Sequence, residues 1–218
     1  MPLVATEVWT VGRKWMGNFF PLVVSAPCAV ISVISYRADT GFTGKTMYFG
    51  IAFVVVAWLC TNFFGYWQNA TMRKELGQRI DRERPGMDKT RRFIGFARPR
   101  FKGVLDAHED VGFLIFHPGK LEIYGDHQKI DILVPTITGI RFRGNIHTWV
   151  GLGRWISIEG LLDGTPIRLM VEPREKATMF GNLCYSSALR KEIVQWWKEN
   201  RPATNSETPP GKPESVSN

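Results

Sequence analysis

Four histidines, His108, His117, His127 and His147, are the side chains best suited to proton transfer or metal ligation near neutral pH. None of them forms an H-E-x-x-H arrangement or a close ligand pair. Asp106, His108, Glu109 and Asp110 are clustered, but they fall between apolar runs, where a solvated turn is the expectation rather than a metal site. The three cysteines, Cys28, Cys60 and Cys184, are odd in number and irregularly spaced, so neither a disulfide framework nor a zinc site follows. Their expected role is that of small buried hydrophobes, which suits a reducing compartment. No G-x-S-x-G elbow occurs. Gly151-Leu152-Gly153 has Ile156 where the third glycine of a dinucleotide loop belongs. Gly44-Lys45-Thr46 has the ending of a phosphate-binding loop, but Asp39 occupies the place of its first glycine and an apolar helix precedes it instead of a strand. With no acid–base or nucleophile constellation, the chain is not expected to be an enzyme, and no cofactor or metal is expected.

The elements that would position any site are organised around Met47 to Trp67, 21 residues without a charged side chain. At 1.5 Å per residue this run is long enough to cross a hydrocarbon core of about 30 Å. It is apolar all round, whereas a soluble core helix needs a single apolar stripe. Tyr48, Tyr66 and Trp67 stand at its ends, where amphipathic rings favour the lipid–water boundary. An earlier run, Phe19 to Tyr36, contains Pro21 and Pro27, of which Pro27 is expected to kink a helix. It carries no small-x-small cleavage site, so an uncleaved transmembrane helix is expected there and a signal peptide is not. The link from Arg37 to Thr46 is short enough to force an antiparallel hairpin.

Charge is unevenly placed along the 218 residues. Residues 1–67 carry four Lys/Arg against two acids, residues 68–104 carry eleven against four, and residues 105–200 carry eleven against twelve. The excess forms a collar after the second apolar run, and Arg13 and Lys14 precede the first. This asymmetry predicts that both termini lie in the cytoplasm. Beside an apolar span, the collar argues for topology and not for nucleic-acid binding. Gln68 to Arg84 is expected to be a polar helix leaving the membrane, stopped by Pro85-Gly86. Beyond it, Arg91, Arg92, Arg98, Arg100 and Lys102 interleave with Phe93, Phe96 and Phe101, and this segment is expected to lie on anionic headgroups. The competing expectations are a solvated linker, or phenylalanines that pack on the following domain.

From Lys102 the apolar period changes to two. Strands are expected at Lys102–Ala107, Val111–Phe116, Leu121–Tyr124, Ile130–Val134, Ile140–Arg143, Ile156–Glu159 and Ile167–Glu172, with turns at Pro118-Gly119 and Asp163-Gly164. A helix over Ser187–Asn200 places Leu189, Ile193, Trp196 and Trp197 on one face, with Ser186 or Ser187 as N-cap. Residues 201–218 are rich in Pro, Ser, Thr and Glu, and a disordered tail is expected. The loop Gly144 to Arg154 is unusual, because Ile146, Trp149 and Leu152 are apolar and Arg143 and Arg154 flank them. An exposed apolar loop rimmed by charge marks an interface. The competing expectation is that Trp149 folds back to plug the open end of the barrel.

Seven short strands closed by one amphipathic helix resemble the pleckstrin-homology superfold in its bacterial PH and GRAM-like versions. Ile132-Leu133-Val134-Pro135-Thr136-Ile137-Thr138-Gly139-Ile140 is similar to the Ile-Pro element that leads into an Ile-containing strand in that family, with Val134 before the proline. A membrane hairpin ahead of such a domain resembles a layout common among bacterial membrane PH-domain proteins, and the likeness spans residues 13–200. It implies a binding or assembly module. Inositol-lipid binding is not implied, since no headgroup motif matches. A PilZ-type cyclic-dinucleotide site is not expected either: no two arginines between 73 and 100 are four apart, and Trp155 stands where an acid or amide should precede Ser157.

The reading is therefore an α+β membrane protein of the cytoplasmic (inner) membrane. Residues 1–18 are a cytoplasmic leader, 19–67 a two-helix transmembrane hairpin and 68–101 a basic juxtamembrane segment. Residues 102–200 are a PH/GRAM-like seven-stranded antiparallel barrel with a C-terminal capping helix, and 201–218 a tail. The expected function is interaction with a protein partner or with its own copies at the inner membrane face, and the alternative is a peripheral anionic-lipid sensor.

Overall fold

The structure is a computed structural model that describes residues 7–39, 41–86, 90–99, 108–162 and 164–201. Helix α1 runs over Val11–Ala38 and α2 over Gly44–Phe64, side by side as an antiparallel hairpin. Thr10 caps α1 by accepting Arg13 N–H, and Thr43 caps α2 by accepting Thr46 N–H. Gly44-Lys45-Thr46 is thus the first turn of a helix. The first helix starts well before Phe19, so its 28 residues exceed the 21 of α2, and it continues through Pro21 and Pro27. Both helices are long and apolar enough to span a membrane. In the most apolar 18-residue window of the helix that begins with α2 only 6% is buried. Near the open end of the hairpin the two helices meet at glycines. A Cβ on Gly17 would lie 2.8 Å from the Gly65 carbonyl oxygen, and Phe20 packs edge-on against Phe64 with centroids 4.7 Å apart.

Gln68, with φ of 56°, turns the chain out of α2 and into α3, Asn69–Glu83. Met72, Leu76 and Ile80 recur every four residues and are fully buried. The helix is therefore not a polar stalk: it folds onto the outer face of a sheet.

That sheet has seven strands: β1 Arg91–Ala97, β2 Asp110–His117, β3 Lys120–Gly125, β4 Lys129–Leu133, β5 Ile137–Arg143, β6 Trp155–Leu162 and β7 Thr165–Pro173. Its order is β4-β3-β2-β1-β7-β6-β5, with every neighbouring pair antiparallel. Strands β4 and β5 follow one another in sequence, joined by a 3-10 turn at Val134–Thr136, yet they form the two edges. The expected closed barrel is corrected to an open sheet, because no ladder joins these edges. The first strand is also corrected: it begins at Arg91 and not at Lys102, and Lys102–Ala107 lies outside the described residues. The remaining six strands match their expected positions, with Gly119 (φ 79°) and Gly164 (φ 77°) in the two turns.

The helix α4, Met179–Asn200, covers the inner face with Leu189, Ile193 and Trp196. It starts eight residues earlier than expected and is capped by Thr178, not by Ser186 or Ser187. Ile94, Phe96, Leu114, Leu121, Ile123, Ile156, Ile158 and Val171 join it in the inner core. The indole of Trp196 donates to His117 O at 3.0 Å, which satisfies its N–H within that core. A second core lies on the opposite face of β1–β3, where Phe93, Val111, Phe113, Ile115 and Tyr124 meet α3, Val8 and Trp9. Fully burying each of these large side chains contributes about 1.5–3 kcal/mol.

Candidate functional site

The hairpin and the sheet domain are bolted together, and the bolts begin in residues expected to be a short cytoplasmic leader. Asp126 sits in the β3–β4 turn and is shielded from solvent. Its Oδ2 accepts both Val8 N–H and Trp9 N–H at 2.7 Å, and its Oδ1 accepts Arg79 Nη1 at 2.7 Å. These donors fix the chain just ahead of α1, so Trp9 is 2% exposed. Arg13, in the first turn of α1, forks onto Glu75 of α3 at 2.8 and 3.1 Å and also donates to Gln68 and to Val8 O. Within the expected leader, Val8 and Trp9 are thus part of the outer core.

From the sheet side, buried Arg174 donates through Nε to Asn69 Oδ1 at 2.8 Å, and Asn69 Nδ2 donates back to Arg174 O. The guanidinium lies over the rings of Tyr66 and Trp9, at 4.3 and 4.8 Å. Glu172, also buried, accepts Arg154 N–H at 3.0 Å and Asn145 Nδ2 at 3.1 Å, and faces His108 Nε2 at 3.2 Å. The His108 ring rests on Gly95, where any Cβ would come within 2.1 Å of it. His108 and Asp110 are thus interior groups, not a solvated turn. Cys184 is exposed, against the expectation of burial, while Cys28 and Cys60 are partly covered.

The loop between β5 and β6 touches the hairpin. Asn145 and Thr148 close a reciprocal capping box that starts a 3-10 helix, Ile146–Val150. Thr148 also donates to Gly153 O at 2.7 Å, which draws the two ends of the loop together. Leu152 is buried with Tyr66 and Met179, and Trp58 packs against them. Trp58 Nε1, in α2, donates to Val150 O at 2.8 Å. Trp149 is 91% exposed, so it plugs nothing. The side chain of Ile146 lies outside the described residues. Beside this loop the N-terminus of α4 meets α2, since Phe180 N–H donates to Asn62 Oδ1 at 2.8 Å. Arg154 reaches Ser186 and Ser187 and lies over the Phe142 ring at 3.9 Å.

The structure disperses the lipid-facing candidates. Arg91 pairs with Asp81 and Arg92 with Glu192, at 2.9 and 2.8 Å, and Arg98 pairs with Glu109. The hydrogen bonds that Arg92 donates to the Glu192 carboxylate hold its guanidinium above its usual pKa. Those from Arg98 bring Glu109 down to about 2, against the opposing effect of burial. Phe93 and Phe96 are fully buried in opposite cores, so they do not insert into headgroups. Arg100, Phe101 and Lys102 lie outside the described residues. Phe93 to Ala97 are buried without alternation, so Arg91-Arg92-Phe93-Ile94-Gly95-Phe96-Ala97 lacks the period-two pattern of a half-buried strand although it forms β1.

Among the described residues, Asp110, Asp126 and His127 have the spacing of a metal cluster. Their lone pairs are engaged: Asp110 accepts the N–H groups of Val111, His127 and Gln128, and Asp126 is occupied as above. His127 stands between Asp110 at 3.1 Å and Glu7 at 2.8 Å. Burial alone would lower its pKa, but these carboxylates outweigh it and raise the value. The arrangement ties the N-terminal segment to the sheet.

A groove of about 1150 Å³ runs along the unclosed seam of the sheet. Ile130 and Ile132 of β4, Ile158 and Leu161 of β6, and Ile167 and Leu169 of β7 line it, with Arg98, Glu109, Asp131, Glu159 and Arg168 among its charged members. Leu161 is 49% exposed there. Sequence periodicity places these residues on strands but does not reveal that β4 and β5 stay apart. Comparison of the chain with protein-family models, with curated proteins and with solved structures finds no match.

Proposed function

We propose that this chain is an integral protein of the cytoplasmic (inner) membrane, with both termini cytoplasmic and a PH/GRAM-like domain acting as a protein-interaction or assembly module at the inner face. The apolar seam between the unpaired edges β4 and β5 carries this reading. Its isoleucines and leucines offer an apolar trough with a charged rim, and β4 and β5 each lack a ladder partner on one side, the geometry that accepts an added strand or apolar segment of a partner. Two apolar helices with unburied surfaces support the anchor. The seven-strand order and the inner-face helix support the PH/GRAM-like likeness. Insertion is favoured by the Lys/Arg asymmetry for a hairpin whose ends point into the cytoplasm.

The alternative, a peripheral anionic-lipid sensor built on the collar, is less well supported, because Arg91, Arg92 and Arg98 are each neutralised by a carboxylate of the same chain. A photo-crosslinker at Leu161, in membranes of the native host, should give a discrete protein adduct that a probe at the exposed Thr71 of α3 does not. Identical patterns from both sites would sink the seam as an interaction surface. Orientation has its own test. An impermeant thiol reagent should label the exposed Cys184 in inside-out vesicles and leave it unlabelled in intact cells; the reverse result overturns the topology.

A further inference from the structure

We infer that the β5–β6 loop is a second membrane-contact element, in which Trp149 and Val150 enter the bilayer interface alongside α2. This rests on the reading of α1 and α2 as a membrane hairpin. The observation behind it is the level at which the loop meets α2. Trp58 lies six residues before Phe64, the last residue of that helix, which is about 9 Å along the axis at 1.5 Å per residue. Its indole N–H is bonded to Val150 O, so the loop backbone reaches that far up the apolar helix. If the 21 residues of α2 match a hydrocarbon core of about 30 Å, that level is inside the cytoplasmic leaflet.

The chemistry of the contact agrees with such a depth. An indole N–H facing hydrocarbon would be unsatisfied at a cost of several kcal/mol, and the loop carbonyl removes that cost for Trp58. Val150 is 51% exposed and Trp149 91% exposed, an arrangement unfavourable against water but suited to the interface, where an indole buries its ring and keeps its N–H near headgroups. Leu59 and Phe63 of α2, which flank Trp58 and Asn62 in sequence, and Phe180 of α4, whose N–H is bonded to Asn62, are exposed as well. The loop is held in shape by the Asn145–Thr148 capping box, the Thr148–Gly153 bond and buried Leu152, so no ordering is required at the membrane. Lipid is the chosen occupant because this patch is continuous with a helix surface that already needs lipid; the seam groove lies elsewhere, on β4, β6 and β7.

The test uses the full chain with Cys28→Ala, Cys60→Ala and Cys184→Ser, reconstituted in vesicles of phosphatidylethanolamine and phosphatidylglycerol. An environment-sensitive fluorophore is attached in turn through Trp149→Cys, through Val54→Cys in mid-α2, and through Lys129→Cys, beside the far end of α3. Doxyl-labelled lipid and aqueous iodide serve as quenchers. The expected result is that the probes at 149 and 54 are quenched by doxyl lipid and have lost iodide quenching, while the probe at 129 shows the opposite. A probe at 54 quenched by lipid with a probe at 149 quenched only by iodide overturns the inference and leaves the hairpin standing. Shielding of 149 from both quenchers also overturns it and indicates a protein cover. Failure of lipid quenching at 54 removes the hairpin reading and the inference together.

Discussion

The sheet has two limbs that share one inner core and differ in what lies outside. Strands β1–β3 are covered on both faces, by α4 within and by α3, Val8 and Trp9 without. Strands β5–β7 are covered within, while their outer face near Glu159 carries Arg141, Arg143 and Arg168, each paired to that one carboxylate. The covering helix α3 is the continuation of α2, so the limb that is doubly buried is also the limb locked to the hairpin. The other limb is joined to it through its β5–β6 loop and through the N-terminus of α4. Both limbs are tied to the hairpin, and they differ in whether the outer face of the strands is covered. The seam between β4 and β5 lies where the halves fail to meet.

Large effects should follow from the outer core. Trp9→Ala should lower stability by about 3–5 kcal/mol in chemical denaturation of the detergent-solubilised chain, close to the cost of Trp196→Ala in the inner core. A loss under about 1 kcal/mol for Trp9→Ala would reduce α3 and the N-terminal segment to surface decoration. Next, Asp126→Ala removes three bonds from a buried carboxylate and leaves Arg79 without its ion pair to that carboxylate. A loss of about 3 kcal/mol is expected, with faster proteolysis ahead of α1 as a second readout. Stability unchanged by that substitution would detach the N-terminal residues from the sheet.

A smaller effect is pH-dependent. Glu109 immediately precedes β2, and its pKa is depressed to about 2 from a usual 4.5 by Arg98. The stabilisation is therefore fully present above the ordinary glutamate value and fades as pH falls towards 2. Because Arg98 is more than half exposed, solvent screening cuts the gain to about 1 kcal/mol. The stability gap between wild type and Glu109→Gln should close over that window; a gap that widens on acidification would reverse the sign. Glu159→Gln on the uncovered limb should cost least, about 0.2–1 kcal/mol, since its arginine partners are exposed. A cost comparable with that of Asp126→Ala would mean that the outer face of β5–β7 is covered by something else.

The sequence by itself determined the hairpin, six of the seven strands, the sites of both turns and the apolar face of α4. Each of these is local: a helix apolar all round, or a strand buried on one face, writes its environment into its own period. It did not determine β1, because Phe93–Ala97 are buried on both faces and the half-buried arginines ahead of them find carboxylates elsewhere in the chain, Glu192 among them. Nor could it distinguish Trp149 from Leu152. They lie three residues apart in one loop, yet one is almost fully exposed and the other is sealed against Tyr66 and Met179. Tertiary structure alone decided that α3 folds back, that β4 and β5 remain unpaired, and that Trp9 is a core residue. The physical reason is the same in each case: burial and charge neutralisation at those positions depend on partners distant in sequence, and no local pattern encodes where a distant partner will be.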